Sequence, residues 1–144
     1  MIIKNIFRGR NYCWPTHTNS LLIDRKDTEG TEVFLTTIQP GKATPFHIHK
    51  DNEQLYYVIS GRGLITSCLE GGKGDKKTKI KREDVVLIPI KTEHQASCIG
   101  NSPLVYLTID VFPRGKPKDA PTWEAHAKEL AVQTKAGLSR LNEF

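Results

Sequence analysis

HIHKDNEQLYYVISG, His47–Gly61, sets two histidines beside a short polar reversal and an alternating run that ends on glycine. Successive side chains of a strand point to opposite faces, so period two sorts the stretch. His47 and His49 share one face and Phe46 and Ile48 the other. After the turn-forming KDNE, the run QLYYVIS returns antiparallel, with Gln54, Tyr56 and Val58 on one side. Glu53, Leu55, Tyr57 and Ile59 fall on the opposite side, and only one of Glu53 and Gln54 can join the histidines without a bulge.

The same texture extends through most of the chain. SLLID, TEVFLTTI, TPFHI, GLITSCL, VVLIPI, HQASCI and PLVYLTIDVF are short runs rich in β-branched and aromatic residues. Turn signals separate them: DTEG, QPGKA, SGRG, GGKGD and GNSP. That spacing predicts an antiparallel, all-β sandwich or barrel rather than βαβ units. Beyond Phe112 the pattern changes. PRGKPKDAP reads as a connector, and TWEAHAKELAVQTKAG as a helix with Thr122 as N-cap and Gly137 as stop. Trp123, Ala127, Leu130, Ala131 and Thr134 form its apolar stripe, suited to docking on the sheet or on a second subunit. The division expected is residues 1–112 as barrel and 113–144 as linker and docking helix.

Composition narrows the function. With 144 residues the chain is long enough for one domain with a real core. Its three cysteines, Cys13, Cys68 and Cys98, are odd in number and widely spaced, which fits a reducing cytoplasm better than a disulfide framework. No apolar run approaches a membrane span or a signal-peptide core. The net charge of +5 is concentrated in GGKGDKKTKIKRED, Gly71–Asp84, where six Lys/Arg face three Asp/Glu. That segment has no aromatic platforms, so it reads as a solvated hairpin tip rather than a nucleic-acid surface.

A third histidine, His94, follows VVLIPIKTE, where Pro89 closes an apolar strand. Three imidazoles, two from one strand and one from another, could converge on one divalent ion. His17 and His126 stand alone in the sequence and carry no assignment.

These residues resemble the two motifs of the cupin family. Gly41, five residues, His47-Ile48-His49 and the closing Gly61 follow the first, G(X)5HXH(X)3-4E(X)6G. Counting back from Gly61 puts Gln54 at the acidic position, whereas counting three residues on from His49 reaches Glu53. The second motif, G(X)5PXG(X)2H(X)3N, keeps Pro89 and His94, but Glu83, Lys91 and Cys98 replace its two glycines and its asparagine. The two motifs lie at 41–61 and 83–98, and with their flanking strands the resemblance covers about three-quarters of the chain.

The resemblance implies a double-stranded β-helix, or jelly-roll barrel, often dimeric, with one divalent metal (Fe, Ni, Mn, Zn or Cu) inside. It implies His47, His49, His94 and Gln54 as metal ligands, with Glu53 as alternative to Gln54, and Tyr56 as a candidate acid in the cavity. A glutamine ligand would leave the ion its full positive charge, favouring a small anionic partner. The function expected is that of a dioxygenase- or isomerase-type metalloenzyme, or alternatively of a non-catalytic small-molecule binder, with no nucleic-acid or membrane partner and a homodimeric assembly.

Overall fold

A computed structural model describes residues 1–68 and 74–133, with side chains through residue 130. Nine strands follow in order: β1 Arg10–Cys13, β2 Thr18–Ile23, β3 Thr31–Ile38, β4 Glu53–Ser60, β5 Arg62–Cys68, β6 Asp75–Lys81, β7 Val85–Ile88, β8 His94–Ile99 and β9 Leu104–Val111. They form a six-stranded sheet, β1-β2-β3-β9-β4-β7, and a three-stranded sheet, β6-β5-β8, and every pairing is antiparallel. Non-consecutive neighbours such as β3-β9-β4 are the crossovers of a jelly roll.

Period two decides what the sheets bury. β9 turns Leu104, Tyr106, Thr108 and Asp110 inward, and β4 turns in Gln54, Tyr56 and Val58. Of these, Tyr56, Val58, Leu104 and Tyr106 meet Ile38, Ile65, Ile80, Ile88, Ala96 and Cys98 to make the main core. A second cluster, Tyr12, Phe34, Trp123 and Ala127, lies beside β1 and β3, with Trp14 and Leu21 packed against it. Trp123 and Ala127 come from α1, Trp123–Gln133.

The helix begins where its N-cap predicts. Ala125 N donates to Thr122 Oγ1 at 3.1 Å, while Trp123 N donates to Asp24 Oδ1 at 3.1 Å. One orphan amide is thus satisfied locally and another by the loop before β3. Trp123 lies 4.4 Å from the Phe34 ring, centroid to centroid, so the stripe docks on this chain's own sheet. The stripe's far end, Ala131 and Thr134, and the stop at Gly137 lie outside the described side chains. Among the described residues no helix is long and apolar enough to cross a membrane.

Two expectations need correction. TPFHI and the HIH that ends it are not a strand: the segment keeps only isolated bridges, Ala43 to Ser97 and His47 to His94. The prolines at 40 and 45 remove ladder donors there, and the chain touches β8 at two points instead of zipping along it. The lysine-rich segment is also more than a hairpin tip, because DKKTKIK is β6, an edge strand of the smaller sheet. Its exposed lysines guard an open edge against pairing with other chains.

The replaced motif glycines are informative. Among the described residues Glu83 (φ 73°) and Lys91 (φ 60°) are the positive-φ non-glycine residues, and they occupy the two glycine positions of the second motif. The tight turns have therefore survived loss of the residue that adopts them most easily. Lys91 N donates to His49 O at 2.8 Å, so one of these turns also holds the site loop in place.

Candidate metal centre

His47 and His94 are held together by their backbones. Each N–H donates to the other's carbonyl, at 3.0 and 2.9 Å. Their imidazoles are anchored alike: His47 Nδ1 lies 2.8 Å from Pro45 O and His94 Nδ1 2.8 Å from Thr92 O. A ring nitrogen facing a carbonyl must carry its proton, which leaves Nε2 of both rings with a free lone pair. His49 completes the group, and one nitrogen from each of the three rings lies within 4.8 Å of the others.

Burial keeps these rings neutral. It lowers His94 to about 4, with the charge of His47 acting in the same direction and the bond to Thr92 opposing it. Burial also holds His49 well below the ordinary value, followed by the charges of His47, His94 and His126, with the nearby Gln54 amide opposing them. His47 is lowered too, mainly by burial. Three close, unprotonated imidazoles are metal donors without a metal's competitor, the proton.

The donor set fits such an ion on a further observation. His49 Nε2 is buried and has no hydrogen-bond partner among the described residues. Leaving a buried polar atom unpaired costs about 1–3 kcal/mol. An ion accepting that lone pair would relieve the cost.

Gln54 sits on the same side as the histidines, and Glu53 lies half-buried on the other face of β4. The Gln54 amide is tied at both ends: Nε2 donates to Asp110 Oδ1 at 2.8 Å, and Oε1 accepts from Tyr56 OH at 2.8 Å. Tyr56 OH is also 3.2 Å from His94 Nε2. Burial, then the neighbouring Tyr106 and Asp110, raise the Tyr56 phenol well above its ordinary value, so it stays a donor at neutral pH. If an ion occupies His94 Nε2, the phenol proton is left to Gln54.

Behind Gln54 lies a polar column that the motifs do not reveal. Asp110 also accepts from Asn52 Nδ2 at 3.0 Å. Its cross-strand partner on β3 is Glu32, whose carboxylate accepts from Arg25 Nε and Nη2 at 2.7 Å each. Arg25, Glu32 and Asp110 are 2%, 0% and 3% exposed, so three ionisable groups share a dry interior. Burial pushes the Asp110 carboxyl well above the usual range, and its hydrogen bond to and charge repulsion from Glu32 push it further. Arg25 Nη1 reaches out to Ala120 O at 3.0 Å, linking the column to the connector ahead of α1.

His17 and His126 come nearer the centre than their isolation in sequence suggests. Burial lowers both to about 4, and the charge of His47 contributes to each. His17 stacks on Trp14, and His126 meets the edge of Trp123 at 5.6 Å. The end of α1 thus brings a tryptophan and a histidine toward the site. A signal for the column was present in the sequence: Glu32 and Asp110 are charged residues at inward positions of the otherwise apolar runs TEVFLTTI and PLVYLTIDVF.

Comparison with known proteins agrees with this fold. The model of the Cupin domain matches residues 34–110. An uncharacterized protein of Methanocaldococcus jannaschii, MJ1618, is 39% identical over 73 residues, which make up 51% of this chain and 54% of that protein. Oxalate decarboxylase OxdC of Bacillus subtilis is 27% identical over 106 residues, 74% of this chain and 27% of the enzyme. A solved structure of that enzyme, in work on its Mn(II) centres, superposes with a TM-score of 0.65 at 23% identity over 75% of this chain and 31% of that one. The polyketide cyclase RemF of Streptomyces resistomycificus superposes at 0.66 with 17% identity, covering 82% of this chain and 85% of its own. The chain spans about half of the first of these curated relatives and about a quarter of the second. With both motifs, the barrel and the family match over more than half its length, this chain belongs to the cupin family.

Proposed function

We propose that this cupin binds one divalent ion through His47, His49 and His94, with Gln54 Oε1 as fourth donor, and acts on a small carboxylate. The observation that carries the reading is the donor arrangement. Two Nδ1 atoms are spent on carbonyls, and the Nε2 of His49 is buried without a partner among the described residues. Four neutral donors leave the ion's charge uncompensated by the protein, and a low-dielectric interior strengthens its pull on an anion. The similarity to an oxalate decarboxylase with Mn(II) centres makes manganese and a dicarboxylate the first pair to try.

When bound, the ion supplies Lewis acidity or, for a redox-active metal, electron transfer. Around it the chain's own groups bind and orient: Tyr56 OH holds a proton beside the His94 ring, and Gln54 and Asn52 are locked against Asp110. A dioxygenase or isomerase type of reaction suits such a site. A non-catalytic binder is the second reading, favoured by the bonds that already tie Tyr56 to Gln54 and Gln54 to Asp110.

Elemental analysis of purified protein tests the metal. Wild type is expected to carry close to one ion per chain, and the His47→Ala/His94→Ala double variant less than about a tenth of that, because two of the donors are gone. Equal metal content in the two proteins would end the reading. Turnover of oxalate or a related carboxylate by the metal-loaded wild type, absent from the double variant, separates enzyme from binder.

We also propose a homodimer in the cytoplasm. Tyr57, Val85 and Leu87 form an exposed apolar patch on the outer face of β4 and β7, 44%, 68% and 54% exposed, and all three cysteines are free. Sedimentation should find wild type at twice the chain mass and Leu87→Lys at the monomer mass. A monomeric wild type would refute the dimer.

A further inference from the structure

We infer that Asp110 is a positioning residue for the metal centre: it selects which end of the Gln54 amide faces the ion. The inference rests on the metal-site reading above and adds a residue that neither motif contains. An amide oxygen can ligate a cation, whereas an amide NH2 turned toward it presents only hydrogens. The two orientations have nearly the same shape, so packing alone does not choose between them. A hydrogen-bonding partner must.

Asp110 Oδ1 is that partner. It faces Gln54 Nε2 at 2.8 Å and Asn52 Nδ2 at 3.0 Å, and an oxygen receiving two amide N–H groups turns the Gln54 oxygen the other way, toward Tyr56, whose hydroxyl is 3.2 Å from His94 Nε2. The register makes this contact direct, because Gln54 and Asp110 are cross-strand partners on β4 and β9. On the other side of β9, Glu32 is the cross-strand partner of Asp110, and Arg25 holds Glu32 through two 2.7 Å bonds. Asp110 therefore stands between a fixed ion pair and the movable amide. The carboxylate missing from the usual position on β4 has a counterpart one strand away, placed to orient the donor that replaces it.

The test is Co2+ affinity, measured by calorimetric titration of the full chain. Substituting a group that orients a metal ligand costs about 10- to 100-fold in affinity, and Asp110→Ala should lose that much. Asp110→Asn keeps an oxygen for Gln54 and Asn52 and turns its NH2 to Glu32, so it should stay within about threefold of wild type, well short of that loss. In a Gln54→Ala background, Asp110→Ala should add less than about threefold, since the ligand it orients is absent.

Three results would overturn the inference: wild-type affinity in Asp110→Ala, an equal loss in Asp110→Asn, or the same loss with and without Gln54. His47→Ala belongs in the same series. If it binds Co2+ like wild type, the metal-site reading fails rather than the positioning role alone. Should Asp110→Ala not fold, the wild type still decides. The side-chain amide protons of Gln54, followed by NMR, should stay protected from exchange after Zn2+ is added, and fast exchange in the zinc-bound protein would sink the inference.

Discussion

Replacing Arg25 with methionine should destabilise the protein by about 3–5 kcal/mol, the cost of stranding the partner of a buried charge. Glu32 is fully buried and both its carboxylate oxygens rest on the guanidinium at 2.7 Å. Without Arg25 that charge faces the equally buried Asp110 across the β3–β9 ladder. The bond from Arg25 Nη1 to Ala120 O is also lost, loosening the connector into α1. Because domain stabilities are on the order of 5–15 kcal/mol, urea denaturation should show the change plainly. The control is Arg25→Met/Glu32→Leu. An apolar pair of similar volume should recover most of the loss, since a buried ion pair contributes little beyond its isostere. A single variant within 1 kcal/mol of wild type would mean that water reaches Glu32.

The second large effect is expected at Gly61, the closing glycine of the first motif. Its φ is +79°, and a Cβ there would stand 2.1 Å from Pro103 O and 2.8 Å from Pro103 C. Both obstacles are backbone and cannot rotate aside. Left-handed strain of about 1–2 kcal/mol adds to overpacking of about 1–3 kcal/mol, so Gly61→Ala should lose about 2–5 kcal/mol. Gly41 isolates the strain. It has φ +78° but no atom within 4 Å of the added Cβ, so Gly41→Ala should lose only the strain of about 1–2 kcal/mol. Equal losses at the two sites, measured by denaturation, would refute the steric account. The damage at Gly61 should also reach the candidate metal centre, because Leu104, 2.9 Å from the added Cβ, opens β9, which carries Asp110 to Gln54.

Much of the centre was legible because strand periodicity is local. Around QLYYVIS the alternation separated Gln54 and Tyr56 from Glu53 and Tyr57, and the burial pattern of β4 follows it from Glu53 to Ile59, failing at Ser60 where the register shifts. The histidine cluster was legible through the spacing of its motifs, even though the HIH segment is not a strand. Its geometry depends on bridges to β8 and on the turn at Lys91 rather than on a continuous ladder. The strand character of DKKTKIK was obscured by its lysines, because an edge strand with one buried residue shows almost no apolar alternation.

The partners of the centre were a different matter. Glu32 and Asp110 lie far apart in the chain, and their charges at inward positions announced burial without naming a partner. His17 and His126 similarly carried no sign of their approach to His47. By itself the sequence determined the all-β class, the inward face of β4 and the three histidines that group together, since these follow from period-two alternation and short spacings. Only the tertiary structure decided that Arg25, Glu32, Asp110 and Gln54 form one column and that the start of α1 packs against Tyr12 and Phe34. The reason is physical: the β3-β9-β4 order and its register set those contacts, and strand order is a property of the assembled sheet, which no window of sequence contains.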